Sequence, residues 1–170
     1  MSAVPGPSPL AKFFYTSVLS FGIGTLHGML QVMPPIRRWL DSVGSPYGGP
    51  GHMIDPLAHA HMNLVGGVVL LAMGTTYHLL PQLSQRRLFS RRLVNHTFWW
   101  TAAGAYSFYF AQMIFGIWEG LLLQGAAESI PAVHRWYGPV VACSGTVMAA
   151  GFLFYFVNIA MSLRGPVQDS

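Results

Sequence analysis

Apolar residues fall into four long blocks along this chain, Phe13 to Met33, Leu57 to Leu80, Thr97 to Leu123 and Trp136 to Ser162, with short polar stretches between them. Each block reaches the roughly 20 helical residues needed to cross a hydrocarbon layer about 30 Å thick. None shows the polar stripe that a helix on a water-facing surface carries. The pattern predicts an all-α fold, a four-helix transmembrane bundle forming one membrane domain over residues 1–170, with helices at about 13–33, 57–80, 97–123 and 136–162. The proline-rich start, MSAVPGPSPLAK, lacks a basic opening and a small-residue cleavage site, so it reads as a tail ahead of a retained helix.

Composition sharpens this picture. Of the 170 residues, 52% are hydrophobic and 8% are charged, whereas a soluble domain is charged at about a quarter of its positions. Lys12, Arg86, Arg87, Arg91, Arg92 and Arg164 fall on one side of the predicted membrane; Arg37, Arg38 and Arg135 fall on the other. Cationic loops stay cytoplasmic, so both termini are expected in the cytoplasm, with the chain multi-pass in the inner (cytoplasmic) membrane. The net charge of +4 then reflects topology, with membrane lipids as neighbours and no nucleic acid as partner. Cys143 is the only cysteine, which leaves His, Met, Tyr and carboxylates for any metal chemistry.

Seven histidines stand out in so apolar a chain, because polar groups inside a membrane are costly and tend to be functional. His27, His59, His61 and His134 are expected in one layer near the outer surface, with His78 and His96 at the inner face. Residues two apart on a helix point about 200° away from each other. His59 and His61 of the HAH triplet therefore serve two centres on opposite sides of a helix, or one centre plus a structural histidine. A shared-face zinc site of the HExxH kind does not fit. Gly24 and Gly28 bracket His27, Gly116 and Gly120 bracket Glu119, and Gly66 and Gly67 follow the pair. Such small residues permit close helix packing and equally leave room for a flat cofactor. Glu119 is expected to snorkel to the surface, and His52, in the Gly/Pro-rich loop SPYGGPGHMIDP, to be solvated. Met29, Met62 and Met73 are candidate sixth ligands, and Trp39, Tyr47, Trp99, Trp100, Trp136 and Tyr137 are placed as an interfacial belt.

The run HAHMNLVGGVVLLAMGTTYHLLPQL resembles the haem-binding helix in the catalytic subunit (subunit I) of C-type haem-copper oxidases and nitric oxide reductases. The matched positions are His59, His61, Gly66, Gly74, Tyr77 with His78, and Pro81. TLHGML, NHTFWWTAAGAYSFYFAQMIFGIWEGLLL and FVNIAMSLRG are similar to the flanking helices, so the whole chain looks like the last four helices of a subunit that normally has twelve. The resemblance implies His59 as proximal ligand of a high-spin haem and His61 as an axial ligand of a low-spin haem. His27 occupies a place where the family has a glutamate, as a partner of His59 or a ligand itself. Arg37 and Arg38 lie on the side where haem propionates point in that family.

The earlier helices of the family, which supply the non-haem metal ligands and the second low-spin ligand, have no counterpart in this sequence. Copper or non-haem iron is therefore not expected from this chain alone. The expectation is a membrane protein binding one or two haem b groups and transferring electrons within a respiratory complex, with quinol or a c-type cytochrome as redox partner. Two other readings stay open: a gas-binding haem protein or minimal reductase for nitric oxide or oxygen, and a haem-free assembly or structural subunit. A homo-oligomer or a larger complex is expected to complete the site, and a dimer held through Gly24 and Gly28 is one form of it.

Overall fold

The structure, a computed structural model, describes residues 8–166, and no strand occurs among them. Five helices follow one another: α1 (Ala11–Gln31), the short α2 (Pro34–Ser42), α3 (Gly49–Ser84), α4 (Arg91–Gly125) and α5 (Ile130–Arg164). Local signals set their ends. Two prolines open α2, where a missing N–H costs nothing. Ser90 caps α4 by accepting from the Leu93 N–H at 3.3 Å, and Gln85 ends α3 in the left-handed region at φ 54°.

Helix α3 departs from the regular helix expected. It begins eight residues before Leu57, so the second half of the Gly/Pro-rich loop is its first turns rather than free chain. Asp55 leaves helical geometry (φ −129°, ψ 109°) because the following Pro56 disfavours the α region for its predecessor. Wide π-type turns cover Met53–Ala58 and Met62–Val69 and leave only His59–His61 in α geometry between them. Interruptions of this kind in a helix frequently mark functional positions.

The four long helices pack as an antiparallel row. Helix α1 lies along α3, α3 lies against α4, and α5 packs along almost the whole of α4. Glycines set these approaches. A Cβ at Gly24 would strike the Asn63 side chain, at Gly67 the Phe21 ring, and at Gly74 the Phe13 Cβ. At the α4–α5 seam Gly104 meets the Met148 backbone and Gly151 the Thr101 backbone. Gly24 and Gly28 face α3 within the chain, so they are not an outward surface for pairing two copies. Phe13, Leu70, Met73, Tyr77, Val94, Phe98 and Ala102 form the largest buried cluster, which Tyr155 and Ile159 of α5 reach from the side.

Several polar groups inside the row are paired. Ser17 donates to the Gly67 carbonyl at 2.9 Å, Ser20 and the Tyr106 hydroxyl lie at 2.9 Å, and Tyr77 and Thr97 at 2.8 Å. Asn158 and Ser162 of α5 hold the linker before α4 through Phe89 and Ser90. Three helices, Ala11–Gln31, Gly49–Ser84 and Ala127–Arg164, are long and apolar enough to cross a membrane. Helix α4 is as long as α5 but carries Asn95, His96, Gln112, Glu119 and Gln124, which dilute its apolar content.

Candidate functional site

The antiparallel row brings the end of α1, the start of α3, the end of α4 and the start of α5 together. Four of the sequence-predicted histidines sit at this end. His59 lies over Gly28 of α1, where a Cβ would come within 2.5 Å of its Cε1. Its ring stands edge-on to His27 with centroids 5.7 Å apart. His27 is buried, and its Nδ1 lies 3.4 Å from the Tyr109 hydroxyl of α4. Its Nε2 and the Nδ1 of His59 are buried without partners.

His61 turns instead to α4. Its ring lies against Phe108 at 4.4 Å between centroids. Its Nδ1–H donates to the Leu57 carbonyl at 2.8 Å, which leaves the lone pair on Nε2. A hydrogen bond on one ring nitrogen is what fixes the tautomer that binds a metal through the other. His59 and His61 thus have different neighbours, one on α1 and one on α4.

Asp55, at the break in α3, is the centre of a second cluster that sequence reasoning missed. It is buried, and its carboxylate accepts from Arg37 at 2.6 Å, Ser45 at 2.9 Å and Gln31 at 3.1 Å. Arg37 also binds Asp41 at 2.6 Å. Its hydrogen bonds to Asp41 and Asp55 push the guanidinium further above its ordinary value, so it stays charged. The signal for this cluster was an acid before a proline at the head of an apolar run, an expensive residue unless it has a job. With Arg37 engaged, Arg38, which is exposed and makes no ion pair among the described residues, is the freer of the two arginines.

Glu119 does not snorkel. It is 2% exposed, and both of its oxygens lie 3.1 Å from Nδ1 of His134, which stacks on Tyr137. The reason is geometric: Gly116 and Gly120 let Pro50, Ile54 and Trp39 close over this stretch of α4, so the side chain has no route to the surface. His134→Ala removes the partner of this buried carboxylate. It should cost about 1–2 kcal/mol, read as a lower thermal midpoint in detergent, with Glu119→Gln costing less.

The remaining candidates lie elsewhere. His52 is half-buried, with its Nδ1 at the Pro46 carbonyl, rather than solvated. His78 and His96 are exposed at the opposite end, against Gln82 and Phe154 respectively. Met62 and Met73 are packed into buried clusters, while Met29 is exposed. The space beside Gly24 and Gly28 is filled by Asn63 and His59, so these glycines serve helix packing.

No three of His, Cys, Asp and Glu converge among the described residues. A chelate made of side chains alone needs three or four ligands. A haem brings four nitrogens of its own and asks the protein for one or two axial ligands. Single imidazoles with fixed or inward-facing Nδ1 atoms fit the second requirement.

Comparison with known proteins gives a consistent result. The chain is 25% identical to a cytochrome c oxidase subunit 1 homolog of Agrobacterium tumefaciens (strain T37), over 95% of this chain and 30% of that protein. It is 24% identical to the Cbb3-type cytochrome c oxidase subunit CcoN1 of Stutzerimonas stutzeri, over 88% of this chain and 32% of that one. A bacteroid cytochrome c oxidase subunit 1 homolog of Bradyrhizobium diazoefficiens matches at 24%, over 92% of the chain and 28% of its own length. The chain therefore spans about three tenths of the length of these relatives. Residues 5–148 match the family described as cytochrome C and quinol oxidase polypeptide I; with three helices fit to cross a bilayer, this multi-pass membrane protein belongs to that family.

Proposed function

We propose that the chain binds haem b through His59 and His61 and transfers electrons as one subunit of a respiratory complex in the inner membrane. The observation that carries this reading is the orientation of His61. Its Nδ1–H is spent on the Leu57 carbonyl, so Nε2 is held as a metal-binding lone pair. His59 supports it: its Nδ1 is the ring nitrogen sealed inside the α1–α3 seam, so a ligand bond would use Nε2. His27 supports His59 from α1, and Arg38 is the candidate contact for a propionate, with Arg37 holding Asp55 in place beside it.

A bound haem supplies reversible one-electron chemistry at its iron. The chain's own residues orient the imidazoles, keep the α1–α3 seam from bulk solvent and burden neither histidine with a competing donor on Nε2. Four spans with both termini cytoplasmic accommodate the site, α4 being the fourth, held between α3 and α5. In this proposal the opposite axial ligand and the electron donor, a quinol or a c-type cytochrome, come from a second copy or another subunit.

Absorption spectra of the detergent-purified protein, oxidised, dithionite-reduced and carbon monoxide-treated, test this. Sharp reduced bands insensitive to carbon monoxide are expected. Loss of at least nine tenths of them in His61→Ala would match removal of an axial ligand. A shift with carbon monoxide that His59→Ala abolishes would replace electron transfer by gas binding. Colourless protein made with ample haem would leave an assembly role and sink the haem reading.

A further inference from the structure

Three of the buried polar atoms without partners, His27 Nε2, Gln31 Oε1 and His59 Nδ1, belong to residues of α1 and α3 whose helices pack against each other. Their neighbourhood is built rather than accidental. Gln31 stands one turn beyond His27 on the same face of α1, and its Nε2 donates to Asp55 of α3 at 3.1 Å. The edge-on rings of His27 and His59 form the layer beneath. Buried polar groups are almost always hydrogen-bonded, and three orphans on two packed helices point to a shared guest.

The donor and acceptor roles identify that guest. Resting on the reading that His59 offers Nε2 to iron, its proton sits on Nδ1, which makes Nδ1–H a donor. With the Nδ1–H of His27 donating to the Tyr109 hydroxyl oxygen, which lies 3.4 Å away, Nε2 of His27 is the acceptor. Gln31 Oε1 can only accept. One donor and two acceptors match a single water molecule, which accepts once and donates twice. We infer that the seam holds one internal water bound by His59 Nδ1–H, His27 Nε2 and Gln31 Oε1.

That water makes His27 and Gln31 positioning residues. Through it they lock the His59 tautomer and aim its Nε2 away from the seam. It also ties His59 to the Asp55–Arg37 pair, because Gln31 holds the water with its oxygen and Asp55 with its nitrogen. A metal ion in the same place would need lone pairs from all three atoms, which a proton on His59 Nδ1 forbids.

Solid-state NMR of the full-length, haem-free protein in bilayers, labelled with 15N in histidine and glutamine, tests the inference without calling on haem. His59 should be protonated at Nδ1 and show magnetisation transfer from a slowly exchanging water. Gln31→Leu, and the milder Gln31→Met, should remove that transfer and shift the His59 tautomer ratio about fivefold, the size of one hydrogen bond. His27→Gln, which supplies an amide oxygen, should preserve both signals where His27→Leu loses them. Absence of the water signal in the unsubstituted protein overturns the inference. So does a direct His59–His27 coupling, or a stoichiometric metal ion by elemental analysis. A locked His59 with bound water in protein that never takes up haem would overturn the haem reading and leave this one standing.

Discussion

Replacing Arg37 by Met should cost about 3 kcal/mol of stability, the low end for leaving a buried charge uncompensated. Asp55 is the reason. Its side chain is 12% exposed, and Ser45 and Gln31 cannot neutralise it. The low end applies because the Arg37 side chain keeps 28% exposure, and water reaches the ion pair from one side. The double variant Arg37→Met with Asp55→Asn should recover more than half of the loss, since no buried unpaired charge then remains and Asp41 is left in solvent. Unfolding followed by circular dichroism in mixed micelles measures both. If the double variant is no more stable than the single one, the ion pair is not what holds α2 against the break in α3. On the proposed haem reading, haem content should follow stability in this series, because Asp55 lies four residues before His59.

The second large effect is expected at the α4–α5 seam. A Cβ on Gly151 would lie 2.5 Å from the Thr101 backbone nitrogen, and one on Gly104 would lie 2.5 Å from Met148 Cα. Backbone cannot swing aside as a side-chain tip can, so the helices must separate. Gly151→Leu and Gly104→Leu should each cost about 3 kcal/mol, the upper part of the range for overpacking. Gly145 on the same helix is the control. Nothing lies within 4 Å of a Cβ there, so Gly145→Ala should be neutral or slightly stabilising through helix propensity. Equal losses at positions 145 and 151 would mean that the helices do not approach as described.

Much of this was legible from residue order. Blocks of apolar residues define long helices because the backbone must satisfy itself where water is absent. The 200° relation between His59 and His61 follows from helix geometry, and the structure gives them different neighbours. The break at Asp55 was harder to read: a single proline in a long apolar stretch marks either a helix start or an interruption, and tertiary contacts decide which. Here Arg37, Ser45 and Gln31 bind the acid that precedes it. Glu119 was misjudged for a related reason. Snorkelling assumes a lipid-facing side chain, whereas the glycines on either side draw Ile54, Pro50 and Trp39 over it. The Leu57 carbonyl that orients His61 leaves no trace in a list of side chains, although an imidazole four residues on is well placed to find it. What the sequence could not hold is the contact of His27 Nδ1 with Tyr109, because that depends on which rings meet across α1 and α4.

The polar character of α4 bears on how the protein reaches its membrane. Taken alone, a helix bearing Asn95, His96, Gln112 and Glu119 partitions weakly into lipid. Its neighbour is the opposite: Ala127–Arg164 contains a strongly apolar stretch long enough to cross a membrane, and little of that stretch is buried within the protein. In the four-span arrangement, the short turn at Ala127–Ser129 couples the two. Insertion as a hairpin would then let α5 carry α4 across, with Gln112 and Glu119 of α4 already paired with Tyr137 and His134 of α5 instead of facing lipid. On the proposed four-span reading, the biosynthetic intermediate would be a pair of helices entering together, with α4 placed by the company it keeps.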